Sequence, residues 1–370
     1  MPEHETSDPY APTMSRSVFE VRGRTCTLGH VFSAAAFGGW AGDFWKELER
    51  GLAYAAYAED EGFEIDTAEL QESADRFRYL RSLVTAEETE RWLSDHDVDE
   101  DDLVGWLERR YWLERFTREE RRIGDSYTPA PSVITDVLWP EVVFSGCLGP
   151  LAVPLARRFA ADAAAHDNGQ TVAVADPSAA AAETFFERAG CGPEGLAAWL
   201  AGNRCDDAWF RELLGLESRY LRACTDALSP ERCSAALESR RLDLMRVGFR
   251  AASFPTERQA REALLCITDD GESFTDTVHR AGVPAEEQSL LLEDAPETLR
   301  AHLLSTAQGE VILAQGPENE SLIVQVIDKT PPSTTDPRVR ERLEPVLVSQ
   351  YFDPLVESYV RWTVPLEPGP

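Results

Sequence analysis

Two stretches decide the fold: FGGWAGDFWKELERGLAYAAYAEDEG, residues 37–62, and FSGCLGPLAVPLARRFAADAAAHDNG, residues 144–169. A constant shift of 107 residues lays Phe37 on Phe144, Gly39 on Gly146, Leu48 on Leu155, Leu52 on Phe159, Ala56 on Ala163, Asp60 on Asp167 and Gly62 on Gly169. The same shift continues to Trp92 on Trp199, Leu93 on Leu200, Val98 on Cys205, Leu103 on Phe210 and Leu107 on Leu214. One offset kept from Phe37 to Leu107, with a tryptophan pair in it, reads as a tandem duplication, and a repeat sets the architecture before any single element does. The alternative is two unrelated helical segments with a common spacing.

Each copy reads as helical. Phe44, Leu48, Leu52, Ala55 and Ala56 recur at three and four residues, the stripe of an amphipathic helix that Gly62 ends. Asp66 or Thr67 caps a second helix with Leu70, Phe77 and Leu80, and Thr85 opens a third with Glu88 placed for a capping box. An acidic turn, Ser94 to Asp97, leads to a helix bearing Leu103, Trp106, Leu107, Tyr111 and Leu113. The second copy repeats the plan from Val137 to Leu221, with an Ala-rich, weaker stretch from Gln170 to Pro193. Between the copies, Thr117 to Ser132 is charged and then holds Pro129 and Pro131, as a linker does.

Beyond the second copy the period changes. Leu242, Leu244, Val247 and Phe249 suggest a strand. Pro255 and Thr256 start a helix that Gly271 ends, Phe274 and Val278 sit on a short helix, and Leu299, Leu303 and Leu304 on another. Leu290 to Leu292, Val311-Ile312 and the alternating Leu322, Val324 and Val326 complete a small α+β domain. The tail follows helical spacing through Val339, Leu343, Val346, Leu347, Tyr351, Leu355, Tyr359 and Trp362, with Pro345 and Pro354 expected to bend or split it. Such a stripe needs a surface to bury it, so this helix is expected to pack back on the helical body.

Composition narrows the function classes. The 370 residues carry 66 acids against 36 bases, a formal charge of −30, and Lys46 and Lys329 are the only lysines. So acidic a surface disfavours nucleic acid, whose binding requires basic side chains to displace counterions. No stretch reaches the roughly 18 apolar residues of a membrane span, and Met1 to Arg16 lacks a basic-then-apolar leader. A cytoplasmic location is the expectation, with residues 1–16 disordered. Seven cysteines without a CxxC fit reduced thiols better than a disulfide framework.

These residues also carry a family resemblance. The run from Leu70-Gln71 through Phe77-Arg78 to Thr89-Glu90-Arg91-Trp92-Leu93 and Asp101-Asp102-Leu103 resembles the N-terminal helical domain of SurA-like foldases, in particular PpiC-type proteins found beside ribosomal-peptide maturation and export systems. Arg246 to Lys329 resembles a parvulin-type peptidyl-prolyl isomerase domain on Ser253-Phe254-Pro255-Thr256, Ala260, Gly271, Phe274, Gly309-Glu310-Val311 and the closing Val324 to Lys329 strand. The tail, Pro331, Pro332, Asp336, Pro337, Val339-Arg340 and Val360-Arg361-Trp362, matches the maturation-linked group. The implied organisation is a mainly α chain with a small α+β domain. A disordered start, 1–16, precedes a SurA-N-like module, 17–116, a linker, 117–132, and a duplicate module, 133–240. A parvulin-like domain, 241–330, and a returning C-terminal helix, 331–370, follow.

The resemblance implies a site that has lost its chemistry. Parvulins place histidines on the first and last strands, and the aligned positions here are Arg250 or Ala251 and Leu322. The central Cys or Asp has no counterpart between Ala281 and Leu292, and Cys266 reads as a core thiol. Isomerisation works by desolvating and twisting the imide, so an apolar groove without histidines retains peptide binding, with weak or no turnover. Its expected lining is Phe249, Phe254, Phe274, Leu299, Leu303 and Val324, each of which is otherwise a core residue, and Trp112 and Phe116 are expected as an exposed aromatic patch. The expected role is a peptide-binding chaperone or accessory protein for a precursor peptide or unfolded polypeptide. An active isomerase and a scaffold for maturation enzymes are the alternatives. No cofactor is expected. Cys26 and His30 lack a second pair of metal ligands, Thr27-Leu28-Gly29 reads as a turn, and His96, His166, His279 and His302 read as solvated. Asp95 to Asp102 lacks the glycine and terminal glutamate of a calcium loop.

Overall fold

In the computed structural model, residues 10–123, 127–169, 179–316 and 320–366 are described below. The chain divides into two compact units, Met1–Ala223 with Phe352–Pro370, and Cys224–Tyr351. It is mainly α-helical with a small antiparallel α+β region.

The first unit opens with α1 (Ala11–Met14), β1 (Ser17–Val21) and β2 (Arg24–Thr27). The first repeat follows as α2 (Leu28–Gly38), α3 (Phe44–Asp60), α4 (Thr67–Leu80), α5 (Ala86–Asp95) and α6 (Glu100–Arg118). The second is α7 (Pro131–Phe144), α8 (Leu148–Asp167), α9 (Ala179–Ala189), α10 (Leu196–Gly202) and α11 (Asp207–Ala227). Shifted by 107 residues, the five helices of one repeat fall on the five of the other. The backbone repeats in detail: Gly39 and Gly146 both have φ +72°, Gly62 and Gly169 have +71° and +69°, and Asp97 and Arg204 have +54° and +49°. The glycines end helices in the left-handed region, which costs a residue without Cβ nothing.

The two repeats exchange their first helices. Six apolar residues of α2, Leu28, Val31, Phe32, Ala34, Ala35 and Phe37, are buried, so the helix is covered on most sides and needs a groove around it. That groove belongs to the other repeat. Phe37 stacks on Phe185 at 5.1 Å and meets the edge of Phe210 at 6.0 Å, and the Arg188 guanidinium donates to the Phe37 carbonyl at 2.9 Å. Reciprocally, Phe144 at the end of α7 lies 5.7 Å from Phe77, 5.9 Å from Trp92 and 5.7 Å from Trp106, and Arg81 donates to the Phe144 carbonyl at 2.9 Å. Arg81 and Arg188 are themselves equivalent under the shift. Indole donors tie the halves further: Trp139 Nε1 to the His96 carbonyl at 3.0 Å, and Trp209 Nε1 to Ser33 Oγ at 2.7 Å.

The helix starts follow their caps. Asp66 Oδ1 accepts from the Ala68 amide, and Thr85 with Glu88 and Asp99 with Asp102 form capping boxes at α5 and α6. The acidic turn after Ser94 therefore serves α6 as a cap. Thr27 is likewise the N-cap of α2, where His30 Nδ1 accepts from the Thr27 amide, rather than part of a turn.

The second unit holds α12 (Pro230–Ser239), β3 (Arg246–Phe254), α13 (Glu257–Thr268), α14 (Phe274–Arg280), β4 (Ala285–Leu291), α15 (Glu297–Ser305), β5 (Val311–Gln315) and β6 (Ser321–Thr330). Its sheet runs β4-β3-β6-β5, antiparallel throughout. Val247 and Phe249 on β3 and Val324 and Val326 on β6 meet Leu299 and Leu303 of α15 on one face. Ala252, Phe254 and Ile323 meet Ala260, Ala263, Phe274 and Val278 of α13 and α14 on the other. The alternation is the pleat of a sheet covered on both sides.

The last helix, α16 (Pro337–Tyr359), is continuous through Pro345 and Pro354, so the expected split does not occur. It begins in the second unit and ends in the first, where Leu355, Val356 and Tyr359 pack on the repeat core and Phe352 lies 4.8 Å from Tyr220. There β7 (Val360–Trp362) pairs with β1 in the sheet β2-β1-β7, Phe19 opposite Trp362. The tail thus packs back on the helical body.

Several expected boundaries move. Residues 10–16 are ordered: α1 forms there and Tyr10 is buried in the repeat core, because the start of the chain covers apolar surface; residues 1–9 lie outside the described residues. The second module does not reach 240, since Ala236 and Leu237 of α12 pack with Leu244, Val339 and Leu343 in the second unit. For the same reason residues 331–351 belong with that unit and not with a separate C-terminal segment. Pro131 is the first residue of α7, where its missing N–H costs nothing, instead of linker. Leu242 precedes the strand it was assigned to and is exposed.

Candidate functional site

The open cavity of interest lies on one face of the second unit's sheet. Helix α15 is nine residues, about 13 Å long, and packs toward β5, leaving the β3–β4 half of that face uncovered. There a cavity of about 350 Å³ is lined by Phe249, Ala251 and Ser253 from β3, Glu286, Gln288 and Leu290 from β4, Leu322 from β6, Pro296 and Leu299 at the start of α15, and Pro284 and Glu320 at its margin. Register explains the grouping: Phe249 is opposite Gln288, Ala251 opposite Glu286 and Ser253 opposite Leu322, so alternate residues of three neighbouring strands converge.

The floor is apolar and the rim polar. Phe249 and Leu299 are buried, Leu322 is half-buried, and Ser253, Glu286 and Gln288 reach solvent. Glu286 accepts from the Gln288 amide at 3.2 Å. Among the described residues, no His or Cys lines the cavity, so none there offers a ring nitrogen or thiol for covalent or general-base work. It can desolvate a small apolar side chain while rim groups and the nearby edge strand β4 meet backbone amides.

The expected site residues are distributed differently from the single groove sequence reading proposes. Phe249, Leu299 and Leu322 line the cavity. Leu303 and Val324 lie beneath it, fully buried at 0% exposure, as core. Phe254 and Phe274 are on the opposite face of the sheet, in the core under α13 and α14, because strand position 254 has the other parity from 249. Arg250 also has that parity; it bonds Glu287 at 3.0 Å, and of the two aligned positions, Arg250 and Ala251, it is Ala251 that lines the cavity with Leu322. Trp112 and Phe116, expected to be exposed, are 5% and 0% exposed and stack at 5.1 Å in a satellite core with Tyr54, Tyr57 and Phe63. Their helix is wrapped by the 54–63 segment and by Arg121, whose guanidinium lies 4.8 Å from the Phe116 ring. His96, expected in solvent, is buried against Trp92 at 4.1 Å. Sequence reading missed Ser253, Glu286, Gln288 and Pro296; the one available signal was the β4 alternation, which Glu286 to Ser289 hide by being polar throughout.

Elsewhere, titratable groups are tuned by burial. The Cys26 and Cys205 thiols are each pushed up to about 12 by desolvation. Glu141 on α7 accepts from Trp106 Nε1 at 3.2 Å and Arg109 at 3.3 Å, and burial raises its pKa above the ordinary carboxylate value although Arg109 opposes the shift. Among the described residues, no group of three or more His, Cys, Asp or Glu is placed to hold a metal ion. No single helix there is long and apolar enough to cross a membrane; α7 and α8 together are, but they are bent by 82°.

No protein-family profile matches the chain, and no curated protein matches it. Solved structures are similar at low identity, two of which follow. The foldase protein PrsA from Streptococcus pneumoniae shares 13% identity, with 60% of this chain and 88% of that one covered, at a TM-score of 0.24. A structure of the SurA-like chaperones of Campylobacter jejuni, the virulence factor PEB4 and the periplasmic protein Cj1289, shares 9% identity over 75% of this chain and 94% of that one, at a TM-score of 0.18.

Proposed function

We propose that the protein is a peptide-binding, chaperone-type accessory protein whose second unit holds an extended segment of polypeptide, with proline or another compact apolar residue in the cavity. The observation that carries this reading is the uncovered half of the sheet face: an apolar floor of Phe249, Ala251, Leu299 and Leu322 with a polar rim, beside an edge strand. The motif resemblance to parvulin-type domains points to the same face, and the resemblance of the Leu70–Leu103 run and of the tail to maturation-linked PpiC-type proteins favours a ribosomally made precursor peptide as the client. Arg250 or Ala251, and Leu322, stand where the parvulin pattern has histidines, so binding without efficient turnover is the expected behaviour.

The test is fluorescence polarisation of a labelled extended proline-containing peptide against the full chain, wild type beside Ala251→Trp and Leu322→Arg. Both changes fill the cavity from its open side. Binding weakened about tenfold or more by each supports the reading. Equal affinity in both variants, with unchanged circular dichroism, refutes it. A protease-coupled assay on a proline tetrapeptide separates the isomerase reading: turnover above the spontaneous rate that Leu322→Arg abolishes would put an active foldase in its place.

A further inference from the structure

Among the described residues, the most exposed of the large apolar side chains cluster at one corner of the first repeat, on the first unit and independent of the cavity above. Tyr79 is 84% exposed and Leu80 72% at the end of α4, and Val84 80% in the turn to α5. With the half-buried Leu83 they border an open depression of about 630 Å³, completed by Asp75, Arg78 and Ser82. The turn that presents them is fixed. The Leu83 amide bonds the Arg78 carbonyl at 2.9 Å, Arg78 donates to the Val84 carbonyl at 3.2 Å, and Ser82 holds a left-handed φ of +56°.

The duplication supplies an internal control. Under the 107-residue shift, Tyr79, Leu80, Leu83 and Val84 correspond to Phe186, Glu187, Gly190 and Cys191. Phe186 packs on the core, Glu187 is charged and exposed, and Gly190 has no side chain. The same scaffold therefore makes this corner without an apolar surface, and the fold does not require three large exposed hydrophobes in the first copy. Contiguous apolar exposure of this kind marks an interaction site.

Charge identifies the occupant. Asp66 to Asp95 carry eight acids, Asp66, Glu69, Glu72, Asp75, Glu87, Glu88, Glu90 and Asp95, against four arginines. Arg81 is turned inward, its guanidinium 3.9 Å from the Phe77 ring, and Arg76 and Arg78 are taken up by Glu72 and Asp75. Glu88 stays ionised beside Val84, because its carboxylate accepts the Thr85 and Val84 amides and its pKa is lowered by them. We infer that this corner docks an amphipathic basic segment of a partner polypeptide, apolar residues on Tyr79, Leu80 and Val84 and Lys or Arg against the acidic rim. A second copy of the chain brings the same acidic rim and a charge of −30, and an anionic bilayer is repelled in the same way.

The experiment uses the full chain and a labelled amphipathic leucine-lysine peptide at physiological ionic strength. Tyr79→Ser/Leu80→Ser/Val84→Ser removes the apolar surface without changing charge, and Leu80→Lys alone puts a positive charge in the middle of the patch; all these positions are exposed, and circular dichroism checks folding. The wild type is expected to bind the peptide about tenfold or more tightly than either variant, and not to bind the leucine-glutamate counterpart. Equal binding by the triple variant, or equal binding of the glutamate peptide, overturns the inference. So does self-association in sedimentation that the triple variant abolishes, which would make a second copy the occupant.

Discussion

Replacing Phe144 with alanine should loosen the repeat that does not contain it. The ring is 1% exposed and its nearest aromatic neighbours, Phe77, Trp92 and Trp106, all come from the first repeat. Removing a fully buried phenylalanine costs about 3–5 kcal/mol, part transfer and part cavity. At about 4 kcal/mol, the opening equilibrium of the helices around the void rises about a thousandfold. Hydrogen exchange read by mass spectrometry should therefore show lost protection in α4, α5 and α6. Phe37→Ala, removed from between Phe185 and Phe210, should do the converse and deprotect α9, α10 and α11. Because each repeat is completed by the other's first helix, chemical denaturation should take the first unit apart in one transition in both variants. Loss of protection confined to the repeat that carries the substitution, or two separable transitions with only one displaced, would refute helix exchange.

Two further expectations rest on burial. Glu141 has a folded pKa raised above its unfolded value, so its contribution to stability is complete below the ordinary carboxylate pKa and is lost as pH rises through the folded value. The stability of wild type relative to Glu141→Gln, which keeps an acceptor for Trp106, should thus be greater near pH 4 than near pH 7 in urea unfolding, and a difference that shrinks on acidification contradicts the assignment. Cys26 and Cys205, buried and pushed up to about 12, should resist iodoacetamide at mildly alkaline pH until urea is added; alkylation of either in the native protein would show that its site opens.

The helices themselves were legible because each local signal agreed with its neighbours. Apolar spacing in α3, the Thr85–Glu88 box and Gly62 after α3 are set within a few residues of chain, and the structure keeps them. The aromatics were misread for a different reason. Trp112 and Phe116 lie on an arginine- and glutamate-rich helix that looks half solvated, and only the folding-back of the 54–63 segment and Arg121 buries them. Leu80 continues the three-residue spacing of Phe77 yet stands in solvent beside Tyr79, because the chain turns at Arg81 before anything covers them. In the second unit, the even-odd parity of β3 was available in principle. Which parity faces the open half of the sheet depended on where the short helix α15 lands, and that is a matter of packing.

The sequence by itself determined that there are two copies of one helical plan, a small mixed domain after them and a tail that must find a surface. These follow from periodicity, capping and composition, which act over the span of single elements. Tertiary structure alone decided which copy each first helix joins, since the repeats present near-equivalent grooves and an apolar stripe is complementary to both. It also decided which hydrophobes became core and which were left outside. Burial is a property of what the rest of the chain covers, and no local pattern encodes the covering partner.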